Sequence, residues 1–320
     1  MNLEPGTIMQ LATLHGAQPT TLEKVLRLNE VLQAVSVHPY LGSRLALKGG
    51  TALNLFFGAP KRLSVDLDFN YVGQVGRTEM LSERPEVERA IDSIGAALGY
   101  VAQTNPDAHA GRKWFFTYTN HENRRDRIEV DVVYTNRVPL RRLQSLTPWT
   151  PDGSQSKPTL VCSVEELVAG KVRALLDRVA ARDVFDVTWV TGLIVSQEWP
   201  LFKKLFVFFS GTLDRPLHSY SVDLIDRVSE MDIDNQLKPM LMQKAELSRA
   251  TLVEAAKSAV APLLELEDEE VEFCDALNRG EFMPSLLLRA WPEILSELES
   301  HPALLWKAQN AKTGSDRLRP

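Results

Sequence analysis

The sequence is short of the residues that staple or anchor a chain. Of its 320 residues only two are cysteines, Cys162 and Cys274, and they stand far apart. That excludes a disulfide frame and a cysteine zinc site, and fits isolated thiols in a reducing compartment, so a cytoplasmic protein is expected. No apolar run approaches the ~20 residues that span a bilayer, so no membrane partner is expected. The opening MNLEPGTIMQ lacks the basic-then-apolar pattern of a secretory signal. The six histidines (15, 38, 109, 121, 218 and 301) do not cluster, which leaves no histidine metal site or nucleophile triad to build. No internal repeat is present. Positive charge is not in surplus either. The net charge is −6, so nothing global marks a nucleic-acid binder. What remains is a globular composition, 44% apolar and 24% charged, long enough for two domains.

Charge is instead distributed unevenly. Between positions 112 and 142 lie Arg112, Lys113, Arg124, Arg125, Arg127, Arg137, Arg141 and Arg142, against Glu122, Asp126, Glu129 and Asp131. A compensating acidic run, ELEDEEVE, occupies 265–272. A locally basic stretch on an acidic protein is able to dock a polyanion, and an arginine-rich solvated loop explains it equally well.

The chemistry is concentrated in RLALKGGTALNLFFGAPKRLSVDLDFN, residues 44–70. Apolar spacing predicts a helix over 20–37, ended by His38-Pro39, with Thr20 or Thr21 as its cap. A strand over 44–48 follows, then Lys48-Gly49-Gly50-Thr51. Glycines let a phosphate approach the backbone closely, and Thr51 is a natural cap for a helix over 52–57, whose N-terminus suits an anion. In Arg62-Leu63-Ser64-Val65-Asp66-Leu67-Asp68-Phe69, strand alternation sends Arg62, Ser64, Asp66 and Asp68 to one face. Two carboxylates so close repel unless a cation sits between them, and Mg²⁺ with substrate phosphates is the natural occupant. Strands are expected over 114–119 and 127–134, with a helix over 79–98 between the first carboxylates and them. Asp131 on the later strand is the candidate third carboxylate of a two-metal site, with Glu129 as local competitor.

Residues 148–158, PWTPDGSQSKP, read as a linker. Beyond them Ser163-Val164-Glu165-Glu166 is a capping box. It opens a helix on which Lys171, Arg178, Arg182 and Asp186 fall within about 80° of one another, with Asp183 to the side. This stripe holds if the helix is unbroken. An ordinary salt-bridged solvent face, with Arg182 paired to Asp186, is the competing explanation. The segment 199–210, WPLFKKLFVFFS, is a core helix by its aromatic density. Further helices are expected over 221–231, 236–248, 250–266, 270–279 and 284–298.

Taken in order, LKGGTAL at 47–53, RLSVDLD at 62–68, ELVAGKVRAL at 166–175, Arg178 and RDVFD at 182–186 resemble the successive motifs of the AbiEii/AbiGii nucleotidyltransferase toxins. These are the toxins of type IV, abortive-infection-like toxin–antitoxin systems. The resemblance spans roughly residues 20–190. It implies an α+β fold: a polymerase β-like nucleotidyltransferase domain with a small mixed sheet, then a helical C-terminal domain, the active site lying between them. Expected boundaries are 1–150, 159–310 and a flexible tail over 311–320. By motif position Asp66 and Asp68 would hold Mg²⁺ and, with Lys171 and Asp186, act in catalysis. Lys48, Gly49, Gly50, Thr51, Arg62, Ser64, Arg178, Arg182 and Asp183 would bind the NTP. Lys171 would reach the triphosphate, and Asp186 or Asp183 would be the family's late acidic residue. Ser64 stands where some relatives carry a serine able to accept phosphate. Relatives transfer nucleotides to the 3′ end of tRNA, so an RNA acceptor and a cognate antitoxin protein are implied partners. Gly170 departs from the pattern, since many relatives carry a helix-favouring residue before the lysine, and glycine there costs ~1 kcal/mol of helix propensity. Two other readings stand beside this one: the same transfer to a protein or small molecule, and a non-catalytic nucleotide-binding module.

Overall fold

The computed structural model describes residues 4–106, 110–242 and 247–313; His109 and the tail beyond 313 lie outside them. The chain divides into two compact units. The first comprises Met1–Arg137, Arg142–Cys162 and Lys238–Ala245, and the second Val138–Arg141, Ser163–Leu237 and Glu246–Pro320.

In the first unit, helix α1 (Pro5–His15) precedes α2 (Pro19–Val37). Leu22, Val25, Leu26, Leu28, Val31, Leu32 and Val35 form the buried face of α2, at the expected spacing. Each such burial contributes roughly 1.5–3 kcal/mol. The start of α2 differs from expectation. Pro19, with its fixed φ, takes the first turn, and no side chain caps the helix. The Thr21 hydroxyl donates instead to the Pro239 carbonyl, at 3.2 Å. Then come β1 (Leu45–Lys48), α3 (Gly49–Phe56), β2 (Asp66–Tyr71), α4 (Arg77–Ala97), β3 (Val101–Thr104), β4 (Gly111–Thr119), β5 (Arg125–Val133), β6 (Gln144–Leu146) and β7 (Thr159–Val161).

The strands form one mixed sheet in the order β3-β4-β5-β2-β1-β7-β6. β2 pairs parallel with β5 and antiparallel with β1. One face is apolar and buried: Leu67, Phe69 and Tyr71 of β2, Trp114 and Phe116 of β4, and Ile128, Val130 and Val132 of β5 are all 0% exposed. Period-2 alternation therefore commits Asp66, Asp68, Glu129 and Asp131 to the other face. The strand expected over 62–69 begins only at Asp66. Residues 62–65 are a loop tied down by the segment Lys238–Leu241, where the Leu63 amide donates to the Met240 carbonyl (2.6 Å) and Arg62 bridges to Leu241.

The second unit is helical: α5 (Val164–Arg178), α6 (Ala181–Val190), α7 (Trp199–Ser210), α8 (Glu230–Asp232), α9 (Arg249–Leu264), α10 (Asp268–Asn278), α11 (Ser285–Leu288), α12 (Pro292–Leu298) and α13 (Pro302–Thr313). Leu201, Phe202, Leu205, Phe206 and Phe208 make α7 a core helix, as expected. The long helix expected over 221–231 is mostly 3-10, Val222–Arg227. That over 236–248 is replaced by short π and 3-10 turns through Met240, and 243–246 lie outside the described residues. The acidic run at 265–272 has local work. Glu267 and Glu270 cap α10, and they pair with Lys204 at 2.6 and 3.0 Å. Among the described residues no helix is long and apolar enough to cross a membrane.

Candidate active site

The register of the sheet aligns charge in rows. Lys48 of β1 faces Asp68 of β2, Asp68 faces Asp131 of β5, and Asp131 faces Lys113 of β4. One pleat earlier Asp66 faces Glu129. Four carboxylates thus share one polar face, with a lysine at each end of the row.

Gly49 joins this row to the helix. Its φ of +75° lies in the left-handed region that favours glycine. A Cβ there would come within 2.5 Å of Asp68 Oδ2. The turn that opens α3 is therefore seated directly against the Asp68 carboxylate, so helix N–H groups and a carboxylate meet at one point. The helix begins at Gly49, not at 52, and Lys48 is its uncapped entry. Thr51 is buried and does not cap. Its hydroxyl donates to the Asp66 carbonyl at 2.5 Å, tying α3 to the start of β2. Ser64 is buried, and its hydroxyl donates to Asp66 Oδ1 at 3.0 Å. Arg62 is buried too, with Nη1 donating to the Leu63 carbonyl at 2.8 Å. Gly49→Ala is expected to cost about 1–2 kcal/mol for the left-handed backbone and more for the clash with Asp68. The control is Gly58→Ala, which has positive φ but open space around its Cβ. Thermal melts of the two separate the contributions, and equal losses would remove the Asp68 contact from the argument.

Electrostatics follow from the rows. Burial pushes the Asp68 carboxyl up to about 6, helped by the charges of Asp66 and Asp131 and opposed by Lys48 and Lys113. Burial also raises Asp131, against the pull of Lys113 and Lys48. Lys113 is driven down by burial, but Asp131 and Glu129 outweigh that and keep it a firm cation. Its Nζ lies 3.3 Å from Glu129 Oε2 and 3.8 Å from Asp131 Oδ2. Among the described residues no group of three or more His, Cys, Asp or Glu side chains stands ready to hold a metal ion. Asp66 and Asp68 offer the hard oxygen donors that suit Mg²⁺, and their mutual repulsion is what a cation would relieve. Lys113 was legible only as one charge in a basic stretch, because its place opposite Asp131 depends on a strand pairing that alternation does not specify.

The second unit holds the remaining candidates. The expected unbroken helix breaks at Val179, which sits at φ 49°, ψ 45°. Such left-handed backbone is strained for a β-branched residue. The break brings Lys171 to its partners. Twelve residues along one helix would separate Lys171 from Asp183 by about 18 Å, yet its Nζ lies 2.9 Å from Asp183 and 2.9 Å from Asp186. Arg178 Nε adds a 2.7 Å contact to Asp183. Lys171, Asp183 and Asp186 are 6%, 1% and 0% exposed, so this is a buried charge cluster and not a solvent stripe. Burial alone would raise Asp183, but Lys171 and Arg178 hold it well below the usual carboxylate range. Arg182 is half-buried and makes no ion pair among the described residues, so the Arg182–Asp186 pair of the competing explanation does not form. The expected capping box is altered too. Ser163 accepts the Glu166 amide, while the Glu166 carboxylate takes the Leu140 amide at 2.9 Å.

Comparison with solved structures finds MenT4, a nucleotidyltransferase toxin of Mycobacterium tuberculosis H37Rv, at a TM-score of 0.64 and 17% identity, over 94% of this chain and 99% of that one. The likeness is one of fold, and it fits the α+β polymerase β-like architecture. Comparison with curated proteins gives no match. The profile of the nucleotidyl transferase AbiEii toxins of type IV toxin–antitoxin systems matches residues 30–268, covering the carboxylate rows and the Lys171 cluster alike. The chain belongs to this AbiEii family of nucleotidyltransferase toxins.

Proposed function

We propose that this toxin is a cytoplasmic, Mg²⁺-dependent transferase that moves a nucleotide from an NTP to the 3′ end of tRNA, and that a cognate antitoxin protein restrains it. The observation that carries the reading is the junction at Gly49, where a helix N-terminus meets the Asp68 carboxylate. Backbone N–H groups of α3 would bind the triphosphate, with Lys48 beside them. Asp66 and Asp68 would hold Mg²⁺, and Asp131 is the third carboxylate of the face. The bound ion would neutralise phosphate charge and polarise the α-phosphate toward the attacking hydroxyl. The residues of the chain contribute by position: Thr51 and Ser64 fix Asp66, and Gly49 leaves room for Asp68. By motif position Lys171 and Asp186 would act in catalysis, and Asp183, Arg178 and Arg182 would bind the NTP. An RNA acceptor is favoured by Arg124, Arg125 and Arg127, which are exposed around the β4–β5 turn.

The test is incubation of the purified chain with total cellular RNA and each labelled NTP in turn. Label is expected on a tRNA-sized band, for one or two NTPs, and periodate oxidation of the RNA 3′ end should prevent it. Label on protein would transfer the activity to a protein acceptor. No label with any acceptor would leave a nucleotide-binding module.

A further inference from the structure

Lys113 sets its ammonium beside both Asp131 and Glu129. Asp131 is level with Asp68 across the parallel β2/β5 pair, the right row for a ligand shared between two metals. Its Oδ2, however, has Lys113 Nζ at 3.8 Å, and Glu129 is held between Lys113 (3.3 Å) and Arg127 (3.2 Å). Lys113 reaches both because β4 pairs with β5 in a register that sets it directly opposite Asp131. Asp66 and Asp68, one strand further from Lys113, make no ion pair with it among the described residues.

We propose that the ε-ammonium of Lys113 stands in for the second metal ion, tethering Asp131 and Glu129 so that the site takes one divalent cation, at Asp66 and Asp68. Lys113 is in this sense a positioning and specificity residue: it sets the metal stoichiometry. The inference rests on the reading of Asp66 and Asp68 as metal ligands. A protonated amine at this point supplies the positive charge without a coordination demand. It also withholds two carboxylates from ions that would otherwise compete with the NTP-borne metal.

The experiment is a Mn²⁺ titration of the full chain without NTP, followed by calorimetry and by the electron paramagnetic resonance signal of free Mn²⁺. Wild type is expected to bind one equivalent, lost in Asp66→Asn. Lys113→Met is expected to bind a second equivalent, as the release of Asp131 and Glu129 from the ammonium requires. That gain should vanish in Lys113→Met/Asp131→Asn, and Lys113→Arg should behave as wild type. If wild type binds one ion and Lys113→Met also binds one, at whatever affinity, the inference is overturned and the assignment of Asp66 and Asp68 stands. If wild type binds none, or Asp66→Asn binds as wild type does, that assignment itself falls.

Discussion

Asp66→Asn is expected to lower nucleotide transfer by two to four orders of magnitude, about 3–5 kcal/mol of transition-state stabilisation, and to abolish growth inhibition with it. The fold should survive. Asp66 and Asp68 repel, so neutralising one relieves the other, and the melting temperature of metal-free protein should hold or rise. Burial of Asp68, with this repulsion second, gives a pH signature. The folded state holds the Asp68 proton up to about 6, above the unfolded value of 3.8. Its contribution to stability is therefore present below the unfolded value and is lost as pH rises through about 6. Melts in chelator between about pH 4 and pH 7 should show this decline, and Asp66→Asn should lessen it in part, since the burial of Asp68 remains. Near-wild-type transfer by Asp66→Asn would remove the carboxylate pair from the chemistry.

Lys171→Met is expected to destabilise the helical unit by about 3–5 kcal/mol, the usual cost of removing one partner from a buried ion pair. The ammonium lies 2.9 Å from two carboxylates that are essentially sealed from solvent. Denaturant unfolding should show one shifted transition, belonging to the helical unit. Because transfer would be lost as well, a double change distinguishes the causes. Lys171→Met/Asp186→Leu replaces a buried pair by apolar groups and should recover much of the stability. Recovery of stability without activity assigns Lys171, Asp186 or both to the reaction. Recovery of both makes the cluster a scaffold and nothing more.

These two expectations differ in how far the sequence foretold them. The Asp66/Asp68 face was legible because strand alternation is local: apolar Leu67 and Phe69 must go inward, so the aspartates go outward. The buried face of α2 and the aromatic α7 were legible for the same reason. The Lys171 cluster was visible as a set of residues but not as a geometry. No glycine or proline marks the break at Val179, and a valine is among the last residues expected in left-handed backbone. The short strands β3, β6 and β7 carry too few residues for a period to emerge. Lys113 opposite Asp131 is a matter of register, which is fixed between strands and not within one. The tie from Met240 to Leu63 leaves no trace in either local sequence.

That tie bears on how the toxin comes into being. The loop carrying Ser64 into Asp66 is fastened by a segment made very late relative to it. Closing so long a loop is slow, because its entropy must be lost before the contacts form. On the ribosome, at ~5–20 residues per second, Leu63 waits many seconds for the carbonyl of Met240. The sheet can assemble early, but the approach to its carboxylates is fastened only after about half of the helical unit has been translated. A chain that stops short of residue 240 therefore carries the acidic residues of the site without the fastening that orders them.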